Sequence, residues 1–240
     1  MKSKEDLEQY ITTYSNDSYE QENLRTIENY YKKIINYSKL KKSILELGIG
    51  HGLNLNMLKG VFDKTTVIEG SNSLVLKYGD FDKNIKIIES YFEDFNVDDK
   101  FSVISMGFVL EHVEDPEKIL IKYKEFLDED GLIYVGVPNA TSLHRIIGHN
   151  AGLLKDLKMM SDADYAFGHK RFLTNSEWLD MFTGIGFQVT KNEGLYLKPF
   201  TTTQLESLKL DNNIYNSMCG AAKDLPGISN SCFYELKRAT

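Results

Sequence analysis

The segment Ser43-Ile44-Leu45-Glu46-Leu47-Gly48-Ile49-Gly50-His51-Gly52 holds the residues best spaced for chemistry. An apolar run carries one acid, Glu46, and glycine then falls at every second position. Such a run reads as a buried strand that turns sharply beneath a ligand. Glycine permits the turn and lets backbone approach the ligand closely. Gly48, Gly50 and Gly52 are therefore expected to line a binding site, with Glu46 at the strand's C-terminal end. A carboxylate there would repel a pyrophosphate and suits a ligand with a cationic amino group.

Glu69 lies 23 residues after Glu46 and closes the next apolar run, followed by Gly70 and Ser71. A carboxylate at that place can accept both hydroxyls of a ribose, in dinucleotide and adenosyl sites alike. The glycine pattern separates the two. A dinucleotide fingerprint reads G-x-G-x-x-G, and counted from Gly48 its third glycine would fall at Leu53. Tyr91-Phe92-Glu93-Asp94 then offers an aromatic pair followed by carboxylates. That fits the apolar slot and polar partner an adenine needs. A core aromatic beside a solvated turn is the other reading. Met106-Gly107 should end a further strand at the rim where the ligand's reactive end would sit.

A second group lies later. His144, His149 and His169 cluster with Asn139, Ser142, Arg145, Lys170 and Arg171. Arginine's fork suits carboxylate or phosphate. Histidine is the usual proton acceptor near neutral pH. The expectation is an anionic small acceptor held by Asn139, Ser142, Arg145 and Arg171, with His169 or His144 as base. A solvated helical face whose cations pair with Asp156, Asp162 and Asp164 is the alternative.

Composition narrows the classes. The 240 residues carry a formal charge of −7 and 26% charged residues, which gives no general pull toward nucleic acid or an anionic membrane. Cys219 and Cys232 lack metal-type spacing and read as reduced thiols of a cytoplasmic protein. The first six residues lack the apolar region of a signal peptide, and no apolar run nears the roughly 20 residues that span a bilayer.

These residues need a scaffold. Strands are expected at Ser43–Leu47, Thr65–Ile68, Ile85–Glu89, Phe101–Met106 and Leu132–Val137. Helices are expected after Gly52 to about Lys59, over Ser71–Tyr78 and over Pro116–Leu127, with Asp130-Gly131 as a turn. This alternation implies a parallel sheet with helices on both faces. Residues 1–40 read as two helices, of which the first could close over the ligand; Tyr14 is its candidate contact. After Pro138 the pattern breaks into helices and loops lying over the sheet's C-terminal edge. Thr174–Ile185 opens with a helix start signal and buries Trp178. A strand at Gly186–Thr190, helix over 203–223 and a last strand at Ser231–Lys237 complete the chain. One domain covers 1–240: N-terminal helices 1–40, cofactor-binding core 41–138, cover 139–175, and C-terminal helices and hairpin 176–240.

Glu46 to Gly52, Glu69 and Glu93-Asp94 resemble the glycine motif, ribose acid and adenine loop of class I S-adenosylmethionine-dependent methyltransferases. Val109-Leu110-Glu111-His112-Val113-Glu114-Asp115-Pro116 looks like the segment after the fourth strand in their ubiquinone-biosynthesis-like branch. Asn139 to Arg145, Gly168 to Phe172 and Leu197 to Phe200 are similar to a bacterial subgroup linked with surface-polysaccharide or small-metabolite pathways. The resemblance implies a Rossmann-like, doubly wound, mostly parallel sheet with a terminal antiparallel hairpin and a helical cover insertion. It implies S-adenosylmethionine as cofactor and methyl transfer to oxygen, less readily nitrogen, of a small metabolite or sugar derivative. A homodimer is allowed. Some ubiquinone-type relatives bind a divalent metal through Glu-x-x-Glu-His; Phe108 stands where the first carboxylate would be, so no metal is expected. A non-catalytic adenosyl-binding protein and a nicotinamide-dependent reductase are the competing classes.

Overall fold

The computed structural model describes residues 6–11, 20–39 and 41–239. Among the described residues seven strands form one sheet: β1 (Ser43–Leu47), β2 (Lys64–Glu69), β3 (Ile85–Glu89), β4 (Phe101–Gly107), β5 (Leu127–Pro138), β6 (Phe187–Gly194) and β7 (Ser231–Arg238). Their order is β3-β2-β1-β4-β5-β7-β6. The first five pair in parallel, and β7 runs antiparallel to both β5 and β6. The direction of winding reverses between β1 and β4. A ligand crevice is expected there, outside the carboxyl ends of the strands.

β1 and β4 are buried almost throughout, as a strand covered on both faces must be. Five helices wrap the sheet: α1 (Glu20–Tyr37), α2 (Leu53–Leu58), α3 (Asn72–Tyr78), α4 (Pro116–Lys124) and α7 (Asn175–Gly184). Two short helices, α5 (Leu143–Asn150) and α6 (Asp162–Ala166), form the cover after β5. α8 (Thr202–Ser207) and α9 (Asn212–Ala222) precede β7. α7 begins as the sequence signals: Thr174 and Glu177 make a reciprocal capping box. Trp178 is 1% exposed and stacks on Phe182 in the main core.

Several boundaries differ from the sequence expectation. α4 stops at Lys124 because Leu127 already belongs to β5 and anchors in the core at 1% exposure. Asp130-Gly131 therefore lies inside β5. The register passes from Phe101↔Leu127 to Val103↔Leu132, so the extra residues bulge out of the ladder. β6 continues past Thr190 to Gly194 because β7 offers partners that far, up to Gly194↔Cys232. The helix expected over 203–223 is two helices, with Lys209 at φ 48° between them. At the N-terminus, Leu7–Tyr10 forms a 3-10 turn, and residues 12–19 of the first expected helix lie outside the described residues. Cys219 and Cys232 are free thiols. Among the described residues no helix is long and apolar enough to cross a membrane.

Candidate active site

The crevice opens as a cavity of about 640 Å³, within the range of small-molecule sites. Glu46, Gly48, Ile49, Gly50, His51, Glu69, Ser71 and Phe92 line one end. Glu111, His112, His144, Asp164, Phe167 and His169 line the other.

The glycine turn is built as its sequence demands. Gly48, Gly50 and Gly52 have φ of 85°, 52° and 77°, a region costly for residues with a Cβ. They do not share one task. A Cβ on Gly50 would meet nothing within 4 Å, so this position faces open space in the cavity. A Cβ on Gly52 would press on the Tyr78 ring, with its hydroxyl at 2.6 Å, so Gly52 serves packing and does not line the cavity.

Glu46 is 1% exposed. Its Oε1 accepts the Tyr31 hydroxyl at 2.5 Å, while Oε2 has no donor in hydrogen-bonding geometry. Burial pushes its pKa up to about 8, against hydrogen bonding from Tyr31, Ser105 and Asn54. Glu69 Oε2 accepts the Ile49 amide at 2.8 Å, and Oε1 accepts the Ser71 amide at 2.7 Å. These bonds aim the carboxylate across the turn and leave further lone pairs on each oxygen. Burial raises its pKa, and the Ser71 and Ile49 amides offset part of that. Phe92 brings its ring edge to the turn: a Cβ on Gly48 would lie 3.9 Å from it.

The remaining cofactor candidates separate. Ser71 lines the cavity and caps α3 by accepting the Leu74 amide. Gly70 lies under the N-terminal turn, where a Cβ would meet Leu7 at 2.5 Å. Gly107 lines the cavity beneath Tyr30, but Met106 is wholly buried in the main core. Tyr91 and Glu93 do not line the cavity. Tyr14 lies outside the described residues. The next residue after Gly107, Phe108, lines the cavity at φ 59°, a strained value for an aromatic side chain.

At the other end His169 Nδ1 stands 3.2 Å from Asp164 Oδ1. Burial would raise the Asp164 pKa, but hydrogen bonds from His169 and Ser161 outweigh it and bring it to about 2. Phe167 stacks on the His169 ring at 6.2 Å, and His112 meets it edge-on at 4.8 Å. Glu111, His112 and His169 each bring one ligand-type atom to within 4.8 Å of the others. Sequence reasoning did not give Glu111 or Asp164 a site role. The Glu-His pair at 111–112 was the available signal.

The expected anion clamp does not form. Arg171 donates to the carbonyl oxygens of Leu110, Val113 and Glu114, tying the cover to the segment after β4, and does not line the cavity. Arg145 lines the cavity, but its guanidinium donates to the Leu157 and Met159 carbonyls and lies 4.5 Å over the Phe172 ring. Asn139 is fully buried and spends its amide on the carbonyls of Pro226, Gly227 and Ser229. Its Oδ1 accepts from Thr141 and Asn175. Ser142 is also fully buried and away from the cavity. His149 is exposed, with Nδ1 on the Leu154 carbonyl. His144 does line the cavity, but burial, with Lys198 and Arg145 near, lowers its pKa to about 3, which makes it a poor proton acceptor.

Residues 19–192 match the family model of a methyltransferase domain. A ubiquinone biosynthesis O-methyltransferase of Glaesserella parasuis serovar 5 (strain SH0165) is 26% identical over 171 residues, 67% of this chain and 71% of the relative. The plantazolicin methyltransferase BpumL, solved with a triazolic desmethylPZN analog and SAH, superposes with a TM-score of 0.60 at 17% identity. That match covers 96% of this chain and 95% of the other. A DhpI–SAH complex gives 0.60 at 12% identity, covering 97% and 95%. A chain from the Haloferax volcanii complex of the Trm112 methyltransferase activator gives 0.65 at 12% identity, covering 99% and 100%.

Proposed function

Because the chain belongs to the methyltransferase-domain family, we propose that it transfers the methyl group of S-adenosylmethionine to a heteroatom of a small polar acceptor bound beside His169. The observation that carries this is one cavity with Glu46, Gly50 and Glu69 at one end and the His169–Asp164 pair at the other.

The residues present fit the donor. The orphaned Glu46 Oε2 suits its cationic amino group, the free lone pairs of Glu69 suit the ribose hydroxyls, and Phe92 suits the adenine. When bound, S-adenosylmethionine supplies a methyl group already activated by the sulfonium. The protein's remaining work is to align the acceptor and remove its proton. Asp164 Oδ1 at 3.2 Å favours the proton on His169 Nδ1 and so the lone pair on Nε2. His169 then takes the acceptor's proton, and Asp164 stabilises the resulting imidazolium. Phe167 packs against the ring and fixes its plane.

Calorimetric titration with S-adenosylmethionine, S-adenosylhomocysteine and NADH tests the first half. Saturable binding of the two adenosyl ligands alone is expected, and binding of NADH alone sinks the proposal. His169→Ala should lower turnover about a hundredfold or more, since it removes the proton acceptor. Its affinity for S-adenosylmethionine should stay unchanged. Full turnover in that variant would remove His169 from the mechanism.

A further inference from the structure

We propose that the methyl acceptor is an amine and that Glu111 is the residue that binds it as the ammonium. This rests on the methyl-transfer function proposed above for the same cavity.

Glu111 is 1% exposed and lines the cavity beside His112 and His169. Its Oε2 accepts no hydrogen bond from the described residues. An unpaired buried carboxylate oxygen is costly unless a donor or a cation completes it. The nearby guanidinium of Arg171 makes no hydrogen bond to it, giving three N–H groups to backbone carbonyls, and acts on Glu111 only through its charge.

The neighbouring groups select among acceptors. An anion finds few donors here: the arginine and the lysine that line the cavity both give N–H groups to protein partners. Arg145 is bound to two carbonyls, and Lys198 pairs with Glu22 at 2.8 Å and bonds Thr202 at 2.8 Å. An alcohol brings one proton to a place where a carboxylate oxygen of Glu111 and a ring nitrogen of His169 lie within 4.8 Å of each other. An ammonium brings protons for both. The acidic charge of Glu111 also offsets the repulsion between an incoming ammonium and the sulfonium.

The step balances without another reagent. The ammonium gives one proton to His169 and keeps its remaining hydrogen bond to Glu111. The freed nitrogen lone pair forms a bond to the methyl carbon as the carbon–sulfur bond breaks. Sulfur leaves as a neutral thioether, and the positive charge passes to the methylated nitrogen, still beside Glu111. His169 returns its proton to solvent.

The test uses the full chain saturated with S-adenosylhomocysteine and sets of amine, alcohol and carboxylate probes on identical carbon skeletons. Binding is read by calorimetry. Amines should bind at least about tenfold tighter than the matched alcohols, the expected value of a charge-assisted hydrogen bond. Glu111→Gln should erase that preference and keep its affinity for S-adenosylhomocysteine within twofold, which also shows that the variant is folded. Equal or weaker binding of the amines, no binding included, overturns the proposal. So does a divalent metal retained through dialysis by the wild type and lost by Glu111→Gln, since the ion would then hold the place given to the ammonium. Failure to bind S-adenosylhomocysteine at all would count against the methyl-transfer function instead.

Discussion

Glu46 shows how one side chain can trade stability for binding. Burial raises its pKa to about 8, so near neutral pH it is mostly protonated before ligand arrives. A cationic amino group beside Oε2 favours the ionised form. Binding of S-adenosylmethionine at pH 7 should therefore release up to about one proton, visible as a binding enthalpy that depends on buffer ionisation. A buffer-independent enthalpy would place the amino group elsewhere. Glu46→Gln keeps an acceptor for Tyr31 and removes the charge. It should weaken S-adenosylmethionine about tenfold or more, and raise the unfolding temperature of the ligand-free protein at pH 8. The residue scale is also where sequence reasoning lost most. Asn139 and Arg171 look like ligand-binding residues by type, yet Asn139 bonds backbone near residues 226–229 and Arg171 bonds backbone at 110–114. No local pattern shows which distant carbonyls a long polar side chain will satisfy.

Elements were more legible, because their signals are local. The apolar run at 43–47, the capping box at Thr174 and the glycine turn each state their own geometry. The bulge inside β5 was hidden, since Asp130-Gly131 reads as a turn unless the buried Leu127 is known to pair with Phe101. Within the glycine turn, equal spacing concealed unequal roles. Gly52→Ala drives a Cβ into Tyr78 at φ 77° and should destabilise the fold by about 1–3 kcal/mol. In Gly50→Val the Cβ meets no protein atom within 4 Å, and the backbone strain costs about 1–2 kcal/mol. It should nevertheless abolish cofactor binding, because the branched side chain fills the cavity. Urea unfolding and calorimetry on both variants separate the roles. Normal binding by Gly50→Val would show that the ligand lies elsewhere.

At the scale of the molecule, buried titratable groups, Glu69 with its raised pKa among them, give the ligand-free protein an acid-shifted stability profile. Glu46 and Glu111 have pKa values raised to about 8 and about 7, so the folded state keeps protons that the unfolded chain loses above about 4.5. Their contribution falls as pH rises through that window. His144, lowered to about 3, and Asp164, lowered to about 2, act in the opposite sense. The unfolded chain takes their protons first, so stability falls as pH drops below about 6.5 and about 3.8 respectively. With the raised acids Glu46, Glu69 and Glu111 against one histidine, the optimum should lie at about pH 4.5 to 5 and move upward when S-adenosylmethionine binds. Thermal scans from pH 4 to 9 check this, and an unligated optimum at pH 8 would contradict it. One contact reaches across the whole crevice. Glu8 Oε1 accepts from the Ser71 hydroxyl at 3.0 Å and the Ser73 amide at 3.2 Å, while Tyr10 packs on Gly168 of the cover. Leu7, Tyr10 and Ile11 thereby roof the donor end and touch the acceptor end together. Such a roof predicts a sequence of arrivals and departures: donor first, acceptor second, methylated product out, and the spent thioether last. Product-inhibition kinetics should show the thioether competing with the donor alone, and its escape from under the roof should pace every turnover.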